Sequence, residues 1–430
     1  MLLRFRTANV RSLRDEQELS FVVPPGEESD AARVVELSDG KSLQVYPVIG
    51  VFGANASGKS NVITALKKMQ GAVVNSYGPW TSYTGIPDRE PFALDAESPD
   101  ESTFYEADFV LEDGVRWTYG FELGDRRVES EWLHAYPKGQ RQVWFDRDAS
   151  RGPEAEFDWP GRRVQDRALL ARSTRQNALL LSRAASDNHS QLTRIFHWFR
   201  SNLWDITPEV ELKKREAYTA SQLLDEKNKA RVQELLRVAD LGIRGAEVER
   251  APGNAAPKVR LLHGSSDGDA VAFDWDKESF GTRSWFALIG PLLLALDSGA
   301  VLLIDELDAS LHPKFAAEVV RLFQAPWSNP HGAQLVFTSH DASLLKTPRG
   351  GRFLEPGQVW LTEKDKRGAT ELFPLSDLEP GPEEDLEDSY LAGAFGAVPQ
   401  VAQGQLGREV LAALTAASES SASTGEAERS

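Results

Sequence analysis

The first 70 residues switch from strand-like to helix-like hydrophobic patterns. Polar and apolar residues alternate from 2 to 6, which predicts an opening strand, and a second strand is expected at 18–23. The apolar run 46–52 leads into a glycine and predicts a buried strand. A glycine-rich stretch follows at 53–60, and the apolar residues of 61–69 then share one helical face. We therefore expect the order strand, glycine loop and helix.

Beyond residue 100 the pattern changes twice. Alternating segments between 104 and 145 are separated by turn signals, which predicts an antiparallel β-meander. From 162 to 250 the apolar spacing becomes helical, and from 259 strand and helix patterns alternate, as is typical of a parallel α/β sheet. The strands predicted in this last part are 259–262, 270–273, 301–304 and 334–338, and its predicted helices are 283–297 and 313–323.

These patterns predict an α/β fold with a mixed or parallel sheet, a β-meander subdomain and an inserted helical lid. We divide the chain into an N-terminal lobe at 1–160, a helical insert or lid at 161–255, a C-terminal lobe at 256–402 and a tail at 403–430. The tail is rich in Ala, Ser and Glu and its last 13 residues, 418–430, contain no large apolar side chain, so we expect it to be disordered.

Composition excludes several classes of protein. The 430 residues include no cysteine, which excludes disulfide frameworks, cysteine-ligated zinc, iron–sulfur clusters and cysteine nucleophiles. The longest apolar run, 285–296, contains Gly290 and Pro291 and is shorter than the roughly 18–20 residues needed to cross a bilayer. The first six residues carry charges where a signal peptide has its apolar run. We expect a cytoplasmic protein without membrane contact.

Charge is unevenly distributed along the chain. The net charge of −17, from 48 Lys and Arg against 65 Asp and Glu, argues against a surface that coats nucleic acid. Segment 162–250 has the opposite sign, because it holds 17 basic and 12 acidic residues, a net of +5. A contact with a partner protein, DNA or RNA is therefore expected in this segment. Its aromatic residues fit either stacked bases or a core, and their helical context favours the core: Phe196, Trp198, Phe199 and Trp204.

Residues 53–60 read Gly-Ala-Asn-Ala-Ser-Gly-Lys-Ser and fit the pattern G-x-x-x-x-G-K-[ST] without departure. In this pattern the glycines let successive N–H groups point into one concavity, and the helix N-terminus adds positive potential, so the loop binds phosphate. Lys59 is expected to reach the β- and γ-phosphates of ATP, and Ser60 to ligate Mg²⁺. The residues expected to bind the nucleotide here are Gly53, Asn55, Ala56, Ser57, Gly58, Lys59, Ser60 and Asn61.

Two predicted strands end in side chains that could act on a bound phosphate. Strand 301–304 is followed by Asp305 and Glu306, at the carboxyl edge where parallel sheets bind ligands. Because side chains alternate along a strand, Asp305 is expected in the Mg²⁺ shell and Glu306 toward an attacking water. Strand 334–338 is followed by His340, which is expected to touch the γ-phosphate or the water. Taken singly, each feature also fits a structural role, as a solvated strand end or a structural histidine.

Together these motifs resemble those of ABC-type ATPases, the class that includes the SMC and DNA-repair ATPases. The Lys59 loop resembles Walker A, the strand before Asp305 and Glu306 resembles Walker B, residues 307–313 resemble the D-loop, and His340 resembles the switch histidine. The signature motif that separates this class from other P-loop enzymes resembles Ser279-Phe280-Gly281-Thr282-Arg283 in a divergent form. Ser279 and Gly281 match the motif, whereas Phe280 and Thr282 depart from it.

A closer resemblance covers most of the chain. Segments 5–13, 90–94, 136–139 and 390–399 resemble the bacterial OLD-like ATPases of abortive-infection systems, namely the RloA/AbiLi type and, more distantly, the AriA component of PARIS. One departure concerns the Q-loop. Its glutamine is expected after a predicted strand at 178–182, but the sequence there reads Arg183-Ala184-Ala185-Ser186-Asp187, which leaves Gln191 as the remaining candidate.

The resemblance implies a Mg²⁺-dependent ATPase that acts as a switch in anti-phage defence with a separately encoded, Toprim-like or RloB-like effector. It implies catalytic roles for Lys59, Glu306 and His340, and a homodimer or higher oligomer that sandwiches ATP. In that sandwich Ser279 and Gly281 of one protomer close over the nucleotide of the other. Hydrolysis then reopens the dimer.

Three alternatives remain open on the sequence. A DNA-repair or chromosome-associated ATPase of the SMC and RecF kind requires a long coiled coil, but 162–250 is short and lacks sustained heptads. An ABC transporter subunit conflicts with the divergent signature and the β-meander. A nuclease domain within this chain would have to fit into the roughly 90 residues after His340. The acidic run 383–388 there is more typical of a solvated loop than of a metal centre.

Overall fold

A computed structural model describes residues 1–206, 212–239, 242–250, 257–265, 269–309, 311–346, 352–398, 404–405 and 407–411. The chain divides into two units, Met1–Ala397 and Val398–Ser430, and strands β1 to β18 and helices α1 to α9, whose bounds follow, belong to the first. Of the predicted tail at 403–430, the structure describes residues 404–405 and 407–411; the rest of it lies outside the described residues, as do Ser310 of the D-loop-like segment and Pro399. No helix in the described ranges is both long and apolar enough to span a membrane.

Strands and helices occur along the whole length of the first unit. The strands are β1 (Leu2–Ala8), β2 (Gln17–Ser20), β3 (Arg33–Glu36), β4 (Ser42–Val45), β5 (Val48–Gly53), β6 (Thr103–Val110), β7 (Arg116–Leu123), β8 (Val128–Ala135), β9 (Gln142–Asp148), β10 (Phe157–Asp158), β11 (Leu203–Ile206), β12 (Ile243–Glu249), β13 (Lys258–Gly264), β14 (Ala270–Asp274), β15 (Val301–Ile304), β16 (Gln334–Thr338), β17 (Val359–Lys364) and β18 (Thr370–Pro374). The helices are α1 (Lys59–Asn75), α2 (Arg167–Ser173), α3 (Leu180–Ser186), α4 (Thr193–Asn202), α5 (Leu212–Gln222), α6 (Glu226–Ala239), α7 (Phe280–Ser298), α8 (Pro313–Gln324) and α9 (Leu386–Leu391).

A six-stranded sheet with the order β11-β15-β16-β5-β17-β18 forms the centre of the fold. All neighbours in it are parallel except the last pair, β17 and β18. Every residue of β5, β15 and β16 is buried, and continuous apolar runs of this kind are required where both faces of a parallel sheet are covered. The predicted strands 301–304 and 334–338 are confirmed. The parallel pairing brings the carboxyl ends of β5, β15, β16 and β17 to one edge.

A seven-stranded antiparallel sheet with the order β10-β9-β8-β7-β6-β1-β2 lies beside it. Strands β6 to β9 pair in succession, which confirms the predicted β-meander, and β1 confirms the predicted opening strand. Helix α1 begins directly after the glycine-rich stretch, as expected. Helices α7 and α8 confirm the two helices that the apolar patterns predict in the second half of the chain. The fold class is therefore the α/β class that the sequence predicts.

Segment 161–255 is less uniformly helical than its pattern predicts. It contains α2 to α6, but also β11, which pairs with β15 and so belongs to the central sheet. The strand predicted at 178–182 is wrong, because Leu180–Ser186 is the helix α3. The reason is a contact distant in sequence: the N–H groups of Leu180 and Leu181 donate to the buried carboxylate of Glu131, at 2.7 and 3.1 Å. Gln191 lies in the turn before α4 and stays a prediction.

The strands predicted at 259–262 and 270–273 exist as β13 and β14, but their expected place in the parallel sheet is wrong. Together with β12 they form a separate antiparallel sheet of three strands. The connection between β13 and β14 spans only residues 265–269, whereas parallel strands need a crossover of about a dozen residues or more. Alternating strand and helix patterns alone do not distinguish strands of the central parallel sheet from strands of this separate antiparallel sheet.

The aromatic residues of the basic segment are mostly core residues. Phe196, Trp198 and Phe199 are buried, and Trp198 stacks on Phe109 with 4.1 Å between ring centroids. The core interpretation is therefore confirmed for these three. For Trp204 the core interpretation is wrong, because its side chain is 40% exposed; its ring N–H donates to the carbonyl oxygen of Ser201.

We predict that Glu131→Ala lowers the free energy of unfolding by about 3 kcal/mol, because it leaves the buried N–H groups of Leu180 and Leu181 without their acceptor. The Glu131 carboxylate itself is fully buried. Urea denaturation measures the change. The control is Glu129→Ala on the same strand, whose half-exposed carboxylate lies 3.9 Å from Arg127. Equal stabilities of the two variants would contradict the prediction.

Candidate functional site

Residues 53–60 connect β5 to α1, and their backbone requires glycine at defined positions. Gly58 has a φ of 110° and Gly53 a φ of 155°. A Cβ at Gly58 would collide with the Thr370 side chain, and one at Gly53 with Thr362. Only glycine fits these two positions without strain. The loop therefore packs closely against residues of β17 and β18.

Hydroxyl side chains from distant parts of the chain support this loop. Ser57 Oγ lies 2.6 Å from Thr362 Oγ1, and Thr370 Oγ1 lies 2.7 Å from the Ser57 carbonyl oxygen. The side-chain amide of Asn61 donates to Ser12 Oγ at 2.6 Å. The sequence patterns did not single out Thr362 or Thr370. Ser12 falls in the opening segment 5–13, but its pattern gave no reason to place it at the loop.

Lys59, the first residue of α1, is only 5% exposed. Its Nζ donates to the carbonyl oxygens of Gly53 at 2.8 Å and Ala54 at 3.0 Å, and it lies 3.2 Å from His340 Nδ1. An ammonium group can only donate a hydrogen bond, so in this contact the histidine nitrogen faces a donor. The structure thus brings together two of the side chains that the sequence predicts to act on phosphate.

Burial and the nearby carboxylates have opposite effects on the pKa of Lys59. Burial lowers the pKa of its ammonium group below the usual value, and the negative charges of Asp308, Glu306 and Asp305 oppose that shift. None of these carboxylates hydrogen-bonds to Lys59 in the described part of the chain. An anion that bound at the loop would contribute negative charge at shorter range.

The carboxylates predicted at the end of β15 lie at the same edge. Asp305 Oδ1 accepts a hydrogen bond from Thr338 Oγ1 at 2.7 Å. Glu306 has a φ of 53°, and its Oε1 lies 3.9 Å from His340 Nε2. The backbone N–H of His340 donates to the Asp308 carboxylate, 3.2 Å from Oδ1. The histidine ring therefore lies between Lys59 and Glu306.

Ser279 and Gly281 lie elsewhere, at the exposed N-terminus of α7. Ser279 caps this helix, since its Oγ accepts a hydrogen bond from the N–H of Thr282 at 3.1 Å. The adjacent Phe280 is 59% exposed. Across the described ranges no hydrogen bond joins Ser279 or Gly281 to residues 53–61 of the same chain. This pair is therefore not linked to the glycine loop by a hydrogen bond in the described part of the chain.

The available groups fit a nucleotide with Mg²⁺. Ser60 in the first turn of α1 and Asp305 after β15 offer oxygen ligands, the kind that Mg²⁺ prefers alongside phosphate oxygens and water. The 17-residue helix α1 directs its N-terminus, with its free N–H groups, at the loop. Among the described residues no cluster of three His, Cys, Asp or Glu side chains is able to hold a metal.

A glycine loop after one strand, two carboxylates after a second and a histidine after the strand between them define a P-loop ATPase fold of the ABC type. A protein-family model described as "AAA domain, putative AbiEii toxin, Type IV TA system" matches residues 48–346, more than half of the chain. The chain belongs to this AAA-domain family. None of the curated proteins matches it significantly.

Among solved structures, similar chains include an SMC head domain from Thermotoga maritima, at 14% identity and a TM-score of 0.40, covering 87% of this chain and 98% of the other. An SmcHead bound to the C-winged helix domain of ScpA has 14% identity and a TM-score of 0.42, with coverages of 88% and 99%. An Smc head with an extended coiled coil, bound to a ScpA domain and derived from Pyrococcus furiosus, has 12% identity and a TM-score of 0.40, with coverages of 88% and 97%. At these TM-scores no property of those proteins is transferred to this chain.

We predict that Gly58→Ala lowers the free energy of unfolding by about 2 kcal/mol, because alanine must adopt a positive φ and its Cβ meets Thr370. The control lies in the helix that follows Gly58. Gly71→Ala in α1 places the added Cβ at ordinary contact distance, 4.0 Å from Asn75 Nδ2, and should stabilise the protein by about 0.5–1 kcal/mol. Thermal unfolding of both variants measures the difference, and a shift of the same sign in both would contradict the assigned loop conformation.

Proposed function

We propose that this protein binds ATP and hydrolyses it to ADP and phosphate with the help of Mg²⁺. The observation that carries the proposal is the position of the His340 ring, which lies 3.2 Å from Lys59 at one nitrogen and 3.9 Å from Glu306 at the other. Three side chains with complementary roles in phosphoryl transfer thus meet at one edge of the sheet. Membership of the AAA-domain family supports the same activity.

In the proposed mechanism Lys59 exchanges its carbonyl contacts for the β- and γ-phosphate oxygens of ATP, and the loop N–H groups bind the same phosphates. Ser60 and Asp305 would hold Mg²⁺, which supplies neutralisation of phosphate charge when it is bound. Glu306 orients or deprotonates the attacking water. His340, placed between Lys59 and Glu306, contacts the γ-phosphate or that water.

We further propose that ATP joins two or more copies of the chain in a sandwich. The support is the exposure of Ser279 and Gly281 at the N-terminus of α7, together with the absence of a hydrogen bond from either residue to the glycine loop among the described residues of the same chain. In the sandwich, these residues of one protomer would contact the nucleotide bound to the other. ATP binding and hydrolysis would then alternate between closed and open assemblies, which makes the protein a nucleotide-driven switch.

We place this switch in cytoplasmic anti-phage defence with a separately encoded nuclease-like effector, Toprim-like or RloB-like. Support comes from the resemblance to RloA/AbiLi and, more distantly, AriA, and from the family description, which reads "putative AbiEii toxin, Type IV TA system". A neighbouring gene for such an effector supports this placement, and a neighbouring permease gene contradicts it. In the acidic run 383–388, Asp385 caps α9 and Glu384 accepts a hydrogen bond from Ser389. These structural roles favour a solvated loop over a nuclease metal centre, which fits an effector encoded elsewhere.

The second candidate is a DNA-repair or chromosome-associated ATPase of the SMC and RecF kind, with a DNA or RNA contact in 162–250. The net charge of this segment favours it. However, several basic side chains pair within the protein, such as Arg231 with Asp297 and Arg183 with Asp187. In its described part the segment has no helix longer than the 14 residues of α6. Hydrolysis that depends on added double-stranded DNA would favour this candidate over the first.

We predict that Glu306→Gln binds a fluorescent ATP analogue normally but lowers the rate of hydrolysis by about a hundredfold, because a general base is lost while the phosphate-binding loop is untouched. Phosphate release by purified protein measures the rate. Glu318→Gln on α8 is the control, since its half-exposed carboxylate pairs with Arg321 one helical turn away on the same helix. Normal turnover by Glu306→Gln would refute the role given to Glu306.

We predict that the Glu306→Gln protein becomes a dimer or higher oligomer when ATP is added, because slow hydrolysis keeps the sandwich closed. Adding Gly281→Arg to this variant should abolish the assembly by blocking the surface at the N-terminus of α7. The matched control is Ser298→Arg at the exposed opposite end of the helix, which should leave the assembly intact. Light scattering measures the mass. A Glu306→Gln protein that binds ATP yet stays monomeric contradicts the sandwich.

A further inference from the structure

Thr338, the last residue of β16, is fully buried beside the end of β15. The parallel register pairs Ile304 with Phe337, so Thr338 lies level with Asp305, the first residue after β15. The sequence patterns assign Thr338 no role beyond strand formation, and the proposed mechanism does not use it. Its contacts nevertheless concentrate on the two acidic residues of the site.

The hydroxyl group of Thr338 bonds to both acidic residues. Its Oγ1 donates to Asp305 Oδ1 at 2.7 Å and accepts from the backbone N–H of Glu306 at 2.7 Å. The hydroxyl has one proton, which it donates to the carboxylate, and it accepts the N–H through a lone pair. The two hydrogen bonds together fix the orientation of the hydroxyl group. The carbonyl oxygen of Thr338 also accepts from the N–H of Leu307 at 3.0 Å. One residue thus holds three consecutive residues of the turn after β15.

This turn contains a conformation that needs such support. Glu306 has a φ of 53°, in the left-handed region that a glutamate seldom adopts and that persists only where surrounding contacts enforce it. The hydrogen bonds that the N–H groups of Glu306 and Leu307 donate to Thr338 of β16 stabilise this left-handed conformation. The resulting turn directs the Glu306 carboxylate toward His340.

The hydrogen bonds of Asp305 point to the same role. Its backbone N–H donates to the carbonyl oxygen of Ile206 in β11, and its Oδ1 is taken by Thr338. In the described part of the chain no hydrogen bond uses Oδ2. The Thr338 hydroxyl therefore fixes the carboxylate through one oxygen and leaves the other for a ligand.

We propose that Thr338 is a positioning residue of the ATPase site: its hydroxyl orients the Asp305 carboxylate toward Mg²⁺ and stabilises the backbone turn that aims Glu306 at the water. This inference rests on the proposed function. It assigns a distinct contribution to a side chain that touches neither nucleotide nor water.

The test compares Thr338→Val, which removes the hydroxyl at nearly constant shape, with Thr338→Ser, which keeps it. Mn²⁺ replaces Mg²⁺ with a non-hydrolysable ATP analogue, and electron paramagnetic resonance measures how much Mn²⁺ is bound. The affinity for Mn²⁺ should fall about tenfold in Thr338→Val, as for other groups that orient metal ligands, and return close to the wild-type value in Thr338→Ser. With Mg²⁺, kcat should fall to a similar extent while KM for ATP changes little, because the Lys59 loop is untouched.

Each outcome decides the proposal. A folded Thr338→Val protein with wild-type Mn²⁺ affinity and kcat overturns it, as does a Thr338→Ser protein as impaired as Thr338→Val. If Thr338→Val does not fold, Thr338→Ala replaces it as the variant without a hydroxyl. If the wild type binds Mn²⁺ with the analogue but does not hydrolyse ATP, only the proposed hydrolysis fails and the titration still tests Thr338. If the wild type binds no Mn²⁺ with the analogue, the proposed function and this inference fail together.

Discussion

The buried positive charge of Lys59 is the constraint on which the rest of the site depends. Its polar contacts are with two carbonyl oxygens and a histidine nitrogen, and burial lowers the pKa of the ammonium group. Burying a charge is unfavourable unless opposite charge is nearby, and Asp308, Glu306 and Asp305 provide it only at longer range. Phosphate oxygens in the glycine loop would compensate the charge at contact distance, so the site is best satisfied when an anion is bound.

The order of the strands brings the other groups to Lys59. Because β16 lies between β5 and β15, a residue just after β16 can reach residues that follow both neighbours. The register pairs Phe337 with Gly50 on one side and with Ile304 on the other, and the three strands end at the same edge. All three are buried on both faces, as is typical of a parallel sheet covered by other elements. The position of His340 thus follows from the order and register of these strands.

The same reasoning explains which features could be predicted from sequence. The glycine loop and strands β15 and β16 are encoded locally, by a motif and by short apolar runs that end in polar residues. The supports of the loop are not, because Thr362 and Thr370 contact Ser57 across more than 300 residues and leave no local pattern. Helix α3 was predicted as a strand for the same reason, since the carboxylate that binds its N-terminus belongs to β8. Local patterns identified the chemical groups, and tertiary contacts determined their surroundings.

Helix α7 connects the exposed part of the proposed site to the basic segment. Near its N-terminus Arg283 pairs with Glu216 of α5 at 3.0 Å, and Trp285 donates to the Leu235 carbonyl oxygen of α6 at 2.9 Å. At its middle, the N–H of Gly290 donates to Thr219 Oγ1 of α5 in a contact that leaves no room for a side chain. Helices α5 and α6 are therefore bound to α7 along much of its length. In the proposed sandwich, a second protomer that engaged Ser279 and Gly281 would therefore contact the same helix to which α5 and α6 of the basic segment are bound.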